Sequence, residues 1–512
     1  MRHFSVDRSK TFFYNDFLKD YFETNKLDHL RSCKPDLSEI PDTIHNKKSF
    51  SNEKRLQLVS SLSSQYSQAG IDINNSIVGK QVKLLVKKNT FTITTGQQIH
   101  IGLGPLYVIY KILDVLGISK ELSARHKEYN FVPVFWMASE DHDLEEIQNV
   151  NVFGKEFTWE TNQSGAVGRM NTAGITDLFL DIQEEFRFTE SQSEFIEVCK
   201  KAYGSQQTLS SAFREIVHYY FKDEGLVILD GDDLGIKNSF MPVMQDELFH
   251  KNAEALRTGT ANLESGGHKR QLLVRECNVF RLSEGAREKI VGNPIQQVLI
   301  AEDALQLSPN AALRPLYQEW VLPNLLYVGG GAEVRYWMQL KGLFDNYNMP
   351  MPIVSLRSSY IIIPKKNADH IIDLELMFNS EVEIGTRLNE DLDKKMKRIN
   401  DSFHQVISSL DKYSELVSAE LPGFSLAGKV TKITPKLQEL ETLTKSRLSK
   451  DVDQNNALNK VLKLKRKYFD SQDIQERKDH VIEHIHVLNK LKVSKEDQFS
   501  QIDYPYLQVV FD

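Results

Sequence analysis

Cysteine is scarce in this sequence: 512 residues hold only Cys33, Cys199 and Cys277, far apart and with no CxxC pair. A disulfide framework is therefore excluded, and a reducing cytoplasmic compartment is expected. Basic charge is not in excess either, with 63 Lys and Arg against 70 Asp and Glu and a formal net charge of −7. General nucleic-acid binders are more often basic, so no nucleic-acid partner is expected. No apolar run approaches the ~20 residues that span a bilayer. The opening Met-Arg-His-Phe-Ser-Val-Asp-Arg has no signal-peptide apolar stretch, so no membrane partner is expected. Two phosphate-binding signatures are also missing. Tyr107 stands where the third glycine of GxGxxG would fall, and no Gly-Lys-Ser/Thr follows the glycines.

What is present is most informative from residue 91 onward. The β-rich run Phe91-Thr-Ile-Thr-Thr95 leads into Gly96, Gly102 and Gly104, then into the apolar-periodic segment Leu106–Leu116. A second strand, Val132-Pro-Val-Phe-Trp-Met137, ends in Ser139-Glu-Asp-His-Asp143. Strand, glycine-bearing turn, helix and strand make one βαβ unit. Both polar clusters fall at carboxyl ends of strands, where open α/β sheets bind ligands. A second block repeats the pattern: strand Asn324–Val328, turn Gly329-Gly-Gly331, helix Ala332–Phe344 and strand Pro352–Ser355. Between the blocks, Gly225–Asp230 reads as a buried strand with Gly231-Asp-Asp233 as its turn.

The last third changes character. Leu388, Leu392, Met396, Ile399, Phe403, Val406, Leu410, Tyr413 and Val417 step by three and four, close to a heptad seam. Leu421-Pro-Gly423 breaks the helix, and a less regular return set runs from Ile433 to Phe469. The pattern predicts an antiparallel helical hairpin whose seam also suits a homodimer. The expected fold is α/β: a Rossmann-like, doubly wound core with inserted connecting segments and a C-terminal α-helical coiled coil. N-terminal helices and the first half of the core fall in 1–150. Connecting segments fall in 151–290, the second half of the core in 291–365, the hairpin in 366–490 and a tail in 491–512.

The polar clusters carry the chemistry. Gly96, Gly102 and Gly104 let backbone approach a ligand, and free amides at the following helix favour an anion; a tight structural turn is the alternative. Glu140, Asp141, His142 and Asp143 offer oxygen ligands for Mg²⁺, the one metal left open. They equally offer acid–base groups, or a grip on an amine or on ribose hydroxyls. One of Asp141 and Asp143 is expected to cap the next helix instead. Arg314 suits bidentate pairing with a carboxylate or phosphate, with a structural salt bridge as the alternative. Glu333, one turn into the helix opened by the triple glycine, suits a cationic amine. Trp337 reads as core, and the lone His100 and His268 as structural.

At this point the chain resembles a family, the cysteine-adding ligases of bacillithiol biosynthesis. The resemblance covers nearly its whole length. It rests on Thr95-Gly-Gln-Gln98, Gly104-Pro-Leu-Tyr107, Tyr110-Lys111, Pro133-Val-Phe-Trp136 and Glu140-Asp-His-Asp143. It continues through Val167-Gly-Arg169, Val274-Arg275 with Asn278, Ser308-Pro-Asn310, Leu313-Arg-Pro315, Tyr327-Val-Gly-Gly330, Glu333 and Tyr336-Trp337. The resemblance implies a core like that of class I aminoacyl-tRNA synthetases and a coiled coil that mediates dimers. It implies that L-cysteine is joined through its carboxyl group to the amine of glucosaminyl-malate, with ATP or another nucleotide as activator. His100-Ile-Gly-Leu103 differs from the synthetase HIGH signature in its last residue.

On that footing Glu140, Asp141, His142 and Asp143 are the expected catalytic groups. Thr95, Gly96, Gln97, Gln98, Tyr107, Lys111, Arg169, Asn310, Arg314, Glu333 and Tyr336 are the expected substrate-binding groups. Gly102, Gly104, Gly329 and Gly330 are expected at a nucleotide. Two other classes stay open: a nucleotide-binding oxidoreductase and a non-catalytic scaffold of the same pathway. The first needs an acidic residue about 20 positions beyond the glycines, where Glu140 is too distant and Asp114 lies inside the helix. The second needs no such density of polar groups at strand ends.

Overall fold

A computed structural model describes residues 2–47, 50–290, 304–371, 373–451, 454–470, 474–493 and 507–511. Its centre is a five-stranded, wholly parallel sheet. The strands are β1 (Thr90–Gln97), β2 (Asn130–Met137), β3 (Val227–Asp230), β4 (Asn324–Gly329) and β5 (Ile353–Leu356). Their order is β5-β4-β1-β2-β3. The chain winds one way from β1 through β2 to β3, then returns to β1's other side for β4 and β5. The direction reverses between β1 and β4, and a crevice opens at the carboxyl ends of strands at such a switch point.

The sequence explains why these strands sit inside. β1 is Thr-Phe-Thr-Ile-Thr-Thr-Gly-Gln, β-branched and aromatic, and all but its last residue is buried. Phe91 and Ile93 pack with Leu325, Leu326, Val328 and Ile353 under helix α1 (Tyr107–Arg125) and the N-terminal Leu37, Ile40 and Ile44. The buried threonines satisfy their hydroxyls within the sheet. Thr92 and Thr94 donate to Asn324 Oδ1 at 3.2 and 2.8 Å, and Thr95 donates to the Val328 carbonyl at 2.8 Å. Each buried aliphatic or aromatic side chain contributes about 1.5–3 kcal/mol.

Further helices flank the strands: α2 (Leu234–Leu248) after β3, α3 (Arg314–Val321) before β4, and α4 (Gly331–Trp337) after it. Trp337 is fully buried. An accessory antiparallel sheet joins Val279–Ser283 to Ala286–Lys289 and to Leu307–Pro309. β3, within the span read as connecting segments, is thus the edge of the central sheet. Of the span read as second half of the core, 291–303 lies outside the described residues.

The C-terminal third contains a 40-residue helix, α5 (Glu381–Glu420), roughly 60 Å long. Ser380 and Glu383 form a reciprocal capping box at its start. It turns at Leu421-Pro-Gly423 and comes back as α6 (Ala427–Asp451). Ile399, Phe403 and Val406 face Leu437 and Leu440 across a groove of about 420 Å³. Beyond the hairpin, Leu507–Phe511 lies in the span read as a tail. It is the middle strand of a small sheet, parallel to Ser359–Ile363 and antiparallel to Arg2–Val6. The rest of that span from 494, apart from this strand, lies outside the described residues. Among the described residues, no helix is long and apolar enough to cross a membrane.

Candidate active site

A cavity of about 460 Å³ opens at the carboxyl ends of β1, β2 and β4, at the switch point. Gly96, Gln97 and Gln98 line it from the end of β1, and Trp136, Glu140 and Asp141 from the end of β2. Tyr327, Glu333 and Tyr336 line it from β4 and α4, Asn310 and Arg314 from the entry to α3. The remaining wall comes from Leu272, Leu273 and Arg275, and from the accessory sheet through Phe280 and Arg287. Parts of the two polar clusters expected at strand ends, Gly96–Gln98 and Glu140–Asp141, therefore share one crevice. Gly96 is confined there, because a Cβ would come within 3.3 Å of both the Trp136 carbonyl and its Cβ.

Each charged group has a definite environment. Lys111, almost wholly buried on α1, donates to the Gly96 carbonyl at 2.9 Å and to Gln97 Oε1 at 2.8 Å, and forms an ion pair with Glu333. Glu333 also accepts from the Tyr327 hydroxyl at 2.5 Å and the Gly330 amide at 2.9 Å. Burial alone raises a carboxyl, but Lys111 and these donors outweigh it and hold Glu333 below the usual carboxylate range. The cation expected opposite Glu333 is thus the chain's own lysine. The anion expected at the triple-glycine helix start is Glu333 itself.

Glu140 meets Lys237 at 2.6 Å, and Lys237, wholly buried on α2, also meets Asp232 at 2.7 Å. Arg169 closes the network with a bidentate fork on Asp232 at 2.5 and 2.7 Å. Burial raises the Glu140 carboxyl, with Lys237 opposing. Arg169, expected at a substrate, is spent on Asp232 and does not line the cavity. Its neighbours hold the Glu140 loop in place. The Val167 and Gly168 amides donate to the Asp141 and Ser139 carbonyls at 2.7 Å each. A Cβ at Gly168 would lie 2.4 Å from Ser139 and Ser210.

Asp141 accepts from Gln98 Nε2 at 2.6 Å and lies 3.5 Å from Arg287 Nη1. Asp143 does not line the cavity; it caps Leu144–Gln148 by accepting the Glu146 amide at 3.3 Å. His142 is half-exposed, and its Nδ1 lies 3.2 Å from Arg287 Nη1. A guanidinium can only donate, so Nδ1 accepts in that contact, and it also lies 3.4 Å from Asp141 Oδ1. Of the four expected catalytic residues, Glu140 and Asp141 face the cavity.

Arg314 donates to Gln318 Oε1 at 3.0 Å and reaches the Tyr336 and Tyr327 hydroxyls at 3.3 and 3.4 Å. None of these partners is a carboxylate, and no ion pair involves Arg314 among the described residues, so the salt-bridge alternative is not realised there. Asn310 is partly spent on structure: its Nδ2 donates to Asn278 at 2.8 Å and its Oδ1 accepts the Ala312 amide at 2.9 Å. Tyr107 binds Gln97 Nε2 and His100 Nε2, each at 3.2 Å, behind the cavity wall. Thr95 is buried in the sheet.

The glycines expected at a nucleotide do not fit one. The Gly102 amide donates to the Tyr203 hydroxyl at 3.0 Å and the Gly104 amide to the Ile101 carbonyl at 3.1 Å. Both have φ of +59°, and a Cβ would strike His480 at Gly102 and His100 at Gly104. The turn is structural, clamped by the 479–481 segment through Leu106 and Val481 amide bonds. Gly330 gives its amide to Glu333, and neither it nor Gly329 lines the cavity. For metals, the described residues bring one Asp/Glu/His group to a common point, Asp479, Glu483 and His484, rather than Glu140–Asp143.

Sequence reasoning missed Arg287, Lys237 and Asp232, and gave Arg275 no role. Arg275 stood inside a motif block, and Lys237 lies one turn beyond Gly231-Asp-Asp233. Nothing in the sequence marks Arg287, which reaches the cavity only because the accessory sheet folds against it.

With this geometry in place, comparison with known proteins decides the family. Residues 1–358 match the family described as "Bacillithiol biosynthesis BshC, N-terminal Rossmann-like domain". The chain belongs to the BshC family. A Flavobacterium psychrophilum relative is 32% identical over 515 residues, covering 93% of each chain. Relatives from Flavobacterium johnsoniae and Cytophaga hutchinsonii are each 32% identical, covering 92% and 87% of each chain. All three carry the printed name "Putative cysteine ligase BshC". The BshC blocks quoted from the sequence fall into two groups here: those that line the cavity and those, such as Val167-Gly-Arg169, that brace it.

Proposed function

We propose that the protein is a ligase joining the carboxyl group of L-cysteine to the amine of glucosaminyl-malate, the last step to bacillithiol. The observation that carries this reading is the switch-point cavity, which presents acid–base carboxylates and unpaired guanidinium groups side by side in a chain of the BshC family. Amide formation needs an uncharged amine, and Glu140 is the proposed acceptor of the ammonium proton, with Asp141 beside it. Burial makes Glu140 more basic than a surface carboxylate, which suits that role. Arg314, held by neutral groups, is free to bind a reacting carboxylate in its planar fork. Gln97, Gln98, Asn310 and Tyr336 shape the surrounding wall.

A carboxylate must also be activated before an amine can displace its oxygen. ATP is the co-substrate proposed on that chemical ground. The glycine amides are spent within the fold, so no step is assigned to them; for the same reason the oxidoreductase alternative gains no support. The hairpin is proposed to be a coiled coil that pairs two copies, and its exposed Val406, Tyr413, Leu416, Leu440 and Leu443 support that reading. The scarce, unpaired cysteines support a cytoplasmic setting.

The test is genetic and chemical. Deleting the gene in its host is expected to abolish bacillithiol and leave glucosaminyl-malate to accumulate, measured by mass spectrometry of thiol-labelled extracts. The wild-type gene should restore the thiol, and Glu140→Gln should lower turnover by about 10²–10⁴. Normal bacillithiol in the deletion strain would overturn the assignment.

A further inference from the structure

Counting charges around the cavity after each in-chain pair is closed leaves an imbalance. Glu333 is neutralised by Lys111. Glu140 and Asp232 are neutralised by Lys237 and Arg169. What remains on the wall is Arg275, Arg287 and Arg314 against Asp141 alone. The cavity therefore carries two positive charges in excess among the described residues. Confining like charges away from bulk water is unfavourable unless an anion joins them.

Two of the three cations are organised around a single ring. The Arg287 guanidinium lies 4.3 Å and the Arg275 guanidinium 5.6 Å from the Phe280 centroid. Arg287 is fixed: it donates to Ser308 Oγ at 3.2 Å, to the Pro309 carbonyl at 3.0 Å and to His142 Nδ1 at 3.2 Å. These bonds use one N–H on each nitrogen and leave one on each terminal nitrogen, with Asp141 at 3.5 Å. Arg275 has its stacking on Phe280 but no ion pair or side-chain hydrogen bond among the described residues. A rigid guanidinium and an unpaired one, set against one aromatic ring, match a ligand with two carboxylates.

We propose that Arg275 and Arg287 form a dicarboxylate subsite, specific for the malyl end of the acceptor. This rests on the function proposed above and deepens it. Arg314, on α3, then remains for the carboxyl group that reacts. The division gives the cavity two kinds of arginine: two that select the acceptor by its paired negative charges, and one beside the tyrosines of β4 and α4.

The experiment uses the full chain and L-malate as the probe, by calorimetry, with succinate, acetate, inorganic phosphate and pyrophosphate alongside. L-Malate and succinate are expected to bind more tightly than acetate. Arg275→Gln is expected to weaken malate roughly tenfold to hundredfold. Arg275→Lys should recover only part, because it lacks the fork. Arg281→Gln, an exposed change on the same accessory sheet, should leave affinity unaltered. In turnover assays Arg275→Gln should raise KM for glucosaminyl-malate while leaving kcat and the KM for cysteine near wild type. Equal malate affinity in wild type and Arg275→Gln would overturn the subsite. So would Arg275-dependent binding of phosphate or pyrophosphate in preference to malate. The two readings fail separately: amide product with a KM indifferent to Arg275 removes the subsite alone. Arg275-dependent malate binding without amide product removes the ligase reading alone.

Discussion

Lys111 and Glu333, 222 residues apart, form a buried ion pair that joins the helix after β1 to the helix after β4. The pair straddles the point where the winding of the sheet reverses, so it ties the two halves of the core together at the cavity floor. Removing Lys111 alone leaves Glu333 facing the cavity without its cation. Lys111→Met is therefore expected to cost roughly 3–5 kcal/mol by urea denaturation. Lys111→Met with Glu333→Gln should cost less than Lys111→Met alone. Because Glu333 is held below its ordinary value, its contribution is complete above the unfolded carboxylate pKa and lost as pH falls through the lowered one. The acid limb of the stability profile should accordingly flatten in the single variant. A Lys111→Met protein as stable as wild type would show that the pair contributes nothing.

Asp114 gives a pH dependence of opposite sign. It is buried on α1, accepts the Ser358 amide at 2.6 Å, and burial pushes its carboxyl from 3.8 up to about 6, with Arg357 and Arg8 opposing. The folded chain holds this proton where the unfolded chain has lost it. Its contribution is thus greatest below pH 3.8 and is lost as pH rises through about 6. Asp114→Asn should flatten the urea midpoint across that window. Glu483, which burial and Asp479 push up to about 7, should extend such a loss above it. An unchanged slope in the Asn variant would assign the window to another group.

The hairpin makes a third prediction. Val406 and Leu440 line the groove between α5 and α6, yet are 48% and 58% exposed, more than one return helix would leave open. Light scattering of the unmodified protein should report a dimer. Ile399→Asp with Val406→Asp places two charges in that groove at a cost of several kcal/mol and should give a folded monomer by circular dichroism. A monomeric wild type removes the dimer reading, and a dimeric double variant moves the interface elsewhere.

Much of the core was legible locally. Alternation of β-rich runs with apolar-periodic segments marks β1, α1, β2, β4 and β5, because side-chain periodicity and strand burial are properties of contiguous residues. The same logic finds the break between α5 and α6, where Pro422 cannot continue a helix. Motif blocks also bring Gly96–Gln98, Glu140, Asp141, Arg314, Glu333 and Tyr336 to attention, and all of these line the cavity.

What the sequence by itself determined is which residues have the chemistry for a site and which segments form the sheet's strands. Tertiary structure decided how each group is used, since that depends on partners hundreds of residues away. Glu333 looked free for a substrate amine until Lys111 met it, and Arg169 until Asp232 did. Gly102 and Gly104 looked like a phosphate cradle until His480, Tyr203 and His100 closed around them. Arg287 carried no signal until the accessory sheet brought it beside Phe280. A charge or an amide is available to a ligand only when the fold has not already satisfied it, and that balance is set by three-dimensional proximity rather than by spacing along the chain.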